Sequence, residues 1–230
     1  MVTHFPTGST ASAPTDLAWT KPRMRGWLHA LWFDLSLIAG TLLIVSLVNS
    51  DQHATTTAAA VAYAIAVSAL FGTSALYHRG TWTPRGHALL QRLDHAMIFV
   101  LIVASATPVV VVTMSGPLRM ALLVSLWSVA LVALVTHLVW MDAPEVLVGG
   151  TYIVIGCLGG AALPAVLLEG GVAPFVLILT GGALYILGAV LYHRRAFDRW
   201  PTVFGFHEAF HVFVCAAAAV QYVAIALVVL

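Results

Sequence analysis

Three histidines are the side chains of this chain best suited to chemistry. His207 and His211 stand in the string His207-Glu208-Ala209-Phe210-His211, at the head of a closing apolar run over residues 204–230. Residues four apart on a helix share a face and lie about 6 Å apart along its axis, so both imidazoles can reach one cation held against a neighbouring helix. Helices present paired histidines to zinc in this way. His78 closes an earlier apolar run that starts near Ala58, and Ser74 lies one turn before it on the same face. Asp94 stands early in the next run. The chain thus offers three neutral nitrogen donors, a hydroxyl and a carboxylate inside hydrocarbon, where ionisable groups are expensive and mark function by default.

The elements that must position these residues follow from composition. Of 230 residues, 61% are hydrophobic and 8% charged, against about 25% charged in soluble domains, so the chain reads as a multi-pass protein of the cell membrane. About 20 apolar residues cross a bilayer as a helix, and seven runs reach that length: 27–48, 58–77, 88–112, 118–140, 148–168, 174–192 and 204–230. Lipid offers the backbone no hydrogen bonds, so each run must be helical. The expected fold is an all-α bundle of seven transmembrane helices over residues 21–230. Residues 1–20, rich in Thr, Ser, Ala and Pro, read as a disordered cytoplasmic tail. The first apolar run is too long for a cleavable signal and has no small-residue cleavage site after it. Cys157 and Cys215 both fall inside spans and imply no disulfide framework. Without a basic stripe, no nucleic-acid partner is expected; the expected partners are membrane lipids and a zinc ion.

Basic residues set an orientation. With the amino terminus inside, the cytoplasmic segments hold Lys21, Arg23, Arg25, Arg79, Arg85, Arg92, Arg194, Arg195 and Arg199, leaving only Arg119 of the ten basic residues outside. That distribution obeys the positive-inside rule and puts the carboxyl terminus outside. It also brings His78, Asp94, His207 and His211 to one depth, near the inner surface.

Other polar residues receive simpler readings. His95 and His137 read as packing histidines, and His4, His29, His53, His87 and His193 as solvated or interfacial groups in tails, loops or span ends. Cys215, one turn beyond His211, reads as a small apolar filler, and Asp34 receives no role. Glu208 completes a literal HExxH string, the metalloprotease signature in which the glutamate is a general base. Here it lies near the mouth of its span, about 100° around the helix from His207, free to face solvent, Arg195 or a metal. Asp94 is the better candidate to orient a metal-bound water or to support a histidine from behind.

The stretches Lys21-Pro22-Arg23-Met24-Arg25-Gly26-Trp27-Leu28-His29, Ser74-Ala75-Leu76-Tyr77-His78, Arg92-Leu93-Asp94-His95 and Phe204-Gly205-Phe206-His207-Glu208-Ala209-Phe210-His211 together resemble the bacterial hemolysin III family. That family is the prokaryotic branch of the progestin and adiponectin receptor superfamily, and the resemblance covers about residues 21–230. It implies seven membrane helices, an inside amino terminus and one zinc near the cytoplasmic surface, held by His78, His207 and His211 with Ser74 and Asp94 around a metal-bound water. Similarity of the superfamily to alkaline ceramidases implies hydrolysis of lipid amides or esters, and bacterial members are also linked to membrane homeostasis. Ala209 departs mildly from the pattern, since relatives often carry a larger residue there. Four functions stay open at this point: a zinc-dependent lipid hydrolase, a non-enzymatic sensor or homeostasis protein with structural zinc, a cytolytic pore, and an intramembrane protease using Glu208. The last is disfavoured because no further acidic ligand follows the histidine pair.

Overall fold

A computed structural model describes residues 21–50, 52–140 and 143–230; the stretch 1–20, read above as a disordered tail, lies outside the described residues, as does His4. Seven helices are long and apolar enough to cross a membrane, and the expected all-α bundle is what the chain forms. They comprise α1 (Trp27–Val48), α2 (Ala54–Arg79), α3 (Pro84–Thr113), α4 (Gly116–Val139), a fifth span over Leu147–Gly170 whose main helix is α5 (Glu145–Gly160), α6 (Val172–His193) and α7 (Phe206–Val229). Among the described residues the only β feature is an isolated bridge between Trp200 and Phe204.

Helix ends follow local chemistry. Thr83 caps α3 by accepting the Gly86 amide at 3.2 Å, with Pro84 in the first turn, where its missing N–H costs nothing. The fifth span is less regular than its apolar run implies. After Gly160 the helix breaks, resumes over Leu163–Ala165 and ends in a π-helical turn, Val166–Gly170. Pro164 explains the break, because it cannot donate to the carbonyl four residues back and its ring collides with that turn.

Packing places α2, α3 and α7 at the centre. Half of the membrane-crossing window of α3 is buried and 44% of that of α7, against 11% for α6, which therefore presents most of its surface to lipid. One apolar core joins α1, α2, α3 and α7 around Leu43, Phe71, Leu101 and Ile225; a second joins α3, α4 and α5 around Phe99, Leu126 and Ile155. Small residues let neighbours close up, as expected where helix association depends on tight packing. A Cβ on Gly40 would stand 2.9 Å from the Ala64 Cβ between α1 and α2, and one on Gly188 would stand 2.7 Å from the Phe213 Cβ between α6 and α7.

The segment leading into α1 is tied to the loop leading into α7. Backbone N–H groups of Arg23 and Met24 donate to the carbonyls of Thr202 and Val203, both at 3.0 Å. Gly26 then turns the chain into α1 at φ +79°, and a Cβ there would lie 2.8 Å from the Cβ of His78. Glycine is needed twice over at this position, for the left-handed backbone and for the close passage of the strap over the end of α2.

Candidate metal centre

The centre lies at the end of the bundle where α2 finishes and α7 begins. His78 is the penultimate residue of α2 and His207 the second of α7, so the long loops between helices do not carry the site. His78 and His211 are buried, at 6% and 2% exposure, and His207 is half-buried. One nitrogen from each of the three rings can be chosen so that all lie within 4.8 Å of one another. The Nε2 atoms of His78 and His207 are 3.2 Å apart. Ring planes cross at 80° for His78 and His207, at 78° for His207 and His211, and at 56° for His78 and His211, so the rings converge edge-first and do not stack on one another.

This donor set fits a divalent cation. Zinc–nitrogen bonds of about 2.0–2.1 Å in a tetrahedron separate two nitrogens by about 3.3 Å, close to the His78–His207 spacing. Oδ2 of Asp94, on α3, is 3.6 Å from the same His78 Nε2, beyond a hydrogen bond. That nitrogen faces an imidazole nitrogen and a carboxylate oxygen at once, while a neutral ring has at most one proton to give there. A cation between them would satisfy both nitrogens, leaving the carboxylate at the rim. Ser74, 2% exposed, stands beside the Asp94 carboxyl as a hydrogen-bond partner. All five residues singled out in the sequence are therefore gathered in one place.

Two residues differ from their sequence readings. His29 is not solvated: at 3% exposure it stacks on His211, with centroids 3.8 Å apart and planes 19° from parallel, and it meets the Phe71 ring edge-on at 5.0 Å. It falls in the first turn of α1, on the face that the Gly26 turn presses toward α2 and α7. Glu208 faces neither solvent nor Arg195. It is 1% exposed; Oε1 accepts a hydrogen bond from Nε of Arg25 and Oε2 accepts the Gly205 amide at 2.8 Å. A glutamate at the third position of a helix that caps the preceding backbone amide has a sequence signature, whereas its pairing with Arg25 has none. Arg195 instead stands 5.6 Å from the centroid of the Phe206 ring.

The remaining candidates stand apart. His95 and His137 face each other with centroids 5.6 Å apart and do not join the three-histidine group. His53, His87 and His193 are exposed, as their positions at span ends imply. Cys215 is 3% exposed within the core packed around α7. Asp34 is exposed on α1 and lines an open groove between α1 and α2 with Ser36, Thr41 and Arg79.

Residues 17–222 match the family described as Haemolysin-III related. The chain is 28% identical to Hemolysin-3 of Bacillus cereus over 196 residues, covering 84% of this chain and 85% of that protein. It is 27% identical to a Hemolysin-3 homolog of Bacillus subtilis (strain 168) over 194 residues, covering 84% and 87%. With seven apolar helices in the expected places and a family match over nearly its whole length, the chain is a multi-pass cell-membrane protein and belongs to the hemolysin III family, within the progestin and adiponectin receptor superfamily.

Proposed function

We propose that His78, His207 and His211 hold a zinc ion and that the protein hydrolyses amide or ester bonds of membrane lipids, in the service of membrane homeostasis. One observation carries this reading. Among the described residues the group contains three nitrogen donors and no fourth, with a carboxylate 3.6 Å from one of them, which is the donor count of catalytic and not of structural zinc. Bound zinc supplies a Lewis acid that polarises a carbonyl and makes water acidic enough to attack it near neutral pH. The protein supplies the rest. Asp94 takes the proton from the attacking water and passes it toward the leaving amine or alcohol. Ser74 holds that carboxylate in place, and the burial of His78, His211 and Ser74 keeps bulk water from the reacting bond. Glu208 has both oxygens engaged and serves to seat α7, not as a base. The basic residues of the strap and of the loops between α2 and α3 and between α6 and α7 share this end of the bundle, so we assign it to the cytoplasmic side.

The test compares the purified protein with His78→Ala, His211→Ala and Asp94→Ala, measuring bound zinc, thermal stability and fatty-acid release from ceramide-like lipids. Loss of release in Asp94→Ala at unchanged zinc and stability supports hydrolysis. A second reading, a sensor with structural metal, draws on the ligands coming from two different helices, which a cation would tie together. It requires that no variant alter lipid products while loss of zinc melts the fold. Hemolysin is the printed name of the Bacillus cereus relative; cytolysis by this chain is tested directly by dye leakage from vesicles.

A further inference from the structure

His29 poses a problem that the three-histidine group leaves unsolved. Its ring is 3% exposed, and both Nδ1 and Nε2 are buried without a hydrogen-bond partner. A neutral imidazole carries one donor and one acceptor, and leaving either unsatisfied in a low-dielectric interior is costly. Its ring neighbours do not meet that need: Phe71 meets it edge-on and His211 lies flat against it. Packing alone does not require an imidazole here, since a phenyl ring would stack as well and bury no polar atom. His29 is also outside the set of nitrogens that converge within 4.8 Å, so it does not complete a fourth corner of the cation site. It stands next to that site, one ring away from a ligand, with its polar capacity unspent.

We propose that His29 is a positioning residue that hydrogen-bonds the polar group of the lipid entering the three-histidine pocket. The proposal rests on the hydrolase reading for the identity of that lipid. The chemistry of the ring narrows the class. One donor and one acceptor are matched by an amide, which offers a carbonyl and an N–H, or by a hydroxyl; a bare carboxylate or phosphate oxygen accepts only, and leaves the acceptor nitrogen of the ring unsatisfied. A lipid bearing an amide or a hydroxyl therefore satisfies the ring, and a simple ester without a neighbouring donor does not. The stacked geometry serves this role, because planes 19° apart at 3.8 Å direct the edges of His29 and His211 into nearly parallel planes. The stack sets His29 one ring away from a group bound at His211.

The experiment uses the full chain in detergent micelles, loaded with cobalt(II) in place of zinc, and titrates acetohydroxamate, a small probe carrying both an amide N–H and a carbonyl. Visible absorption of the cobalt reads binding without any turnover. Variants are His29→Ala, His29→Phe, which keeps a stacked ring and removes both nitrogens, and His29→Gln, which restores a donor and an acceptor. Expected are one metal per chain in all four proteins, a Kd raised about tenfold in His29→Ala and His29→Phe, the worth of roughly one hydrogen bond, and recovery in His29→Gln. Unchanged hydroxamate binding in His29→Phe would overturn the proposal, reducing His29 to a packing ring. Loss of metal in His29→Phe would overturn it in the other direction, making His29 a ligand. If the pattern holds but no lipid amide or ester is cleaved, the hydrolase reading fails while the placement of His29 against the pocket stands. A wild-type protein that takes up no cobalt sinks both.

Discussion

Removing the Arg25 guanidinium should loosen the start of α7 and with it two of the three clustered histidines. Glu208 is 1% exposed, and its side chain meets an arginine that is itself only 21% exposed. Without Arg25 the carboxylate keeps one partner, the Gly205 amide at 2.8 Å, and one oxygen is left bare. Breaking a buried ion pair by deleting one member costs about 3–5 kcal/mol. Because a fifth of the Arg25 side chain reaches solvent, water can enter on its side, and we place Arg25→Ala at about 2–3 kcal/mol. Glu208→Gln keeps the shape and an oxygen for Gly205 while losing the charge, for about 1–2 kcal/mol. The two changes together should cost about 1.5 kcal/mol less than their sum, since neither charge is then left unpaired. Reversible unfolding in mixed micelles, run as a double-mutant cycle, measures that coupling. Additivity within about 0.5 kcal/mol would refute the reasoning and reduce the pair to a surface contact. The same variants decide the role of Glu208, because Glu208→Gln should keep metal and lipid release. A fully metallated Glu208→Gln protein that had lost release would make the glutamate a general base after all.

Other perturbations test the frame around the site. His211→Ala should abolish stoichiometric zinc, read by elemental analysis, whereas His137→Ala should leave it unchanged, since His137 faces His95 and Phe99 and lies outside the three-histidine group. Gly26→Ala should cost about 1–3 kcal/mol, seen as a lower midpoint of thermal unfolding, because the new Cβ meets the His78 Cβ at 2.8 Å in a left-handed backbone. Stripping the metal with a chelator should lower the same midpoint in wild type, since a ligand bound only to the folded state stabilises it by mass action, and should do nothing to His78→Ala.

The seven spans were legible because length and hydropathy alone decide them: α1 is the run Trp27–Val48 residue for residue, and the others shift by at most four at either end once the fifth is counted past its break to Gly170. That His78, Asp94, His207 and His211 lie close together was legible because a histidine or aspartate inside hydrocarbon stands out against its neighbours; Ser74 was marked only by lying one turn before His78. What stayed hidden was rotation. A helix that is apolar on every side has no stripe to say which face turns inward, so His29, near the start of α1, could be read as interfacial although it lies against His211. Pairings across the chain were equally hidden. Glu208 had Arg195 within thirteen residues, yet its partner is Arg25, 183 residues away. The break in the fifth span was visible as Pro164, but a run of apolar residues on both sides masked it.

The separation of His78 and His207 by 129 positions also fixes when the three-histidine site can exist. Synthesis delivers α2 well before α7, so until α7 emerges a nascent chain offers His78 alone of the three clustered histidines. The backbone strap waits on the same event, since Arg23 and Met24 find their acceptors only when residues 202 and 203 have emerged. On the proposed zinc reading, capture waits for α7, and a product cut short before it brings only one of the three ligands.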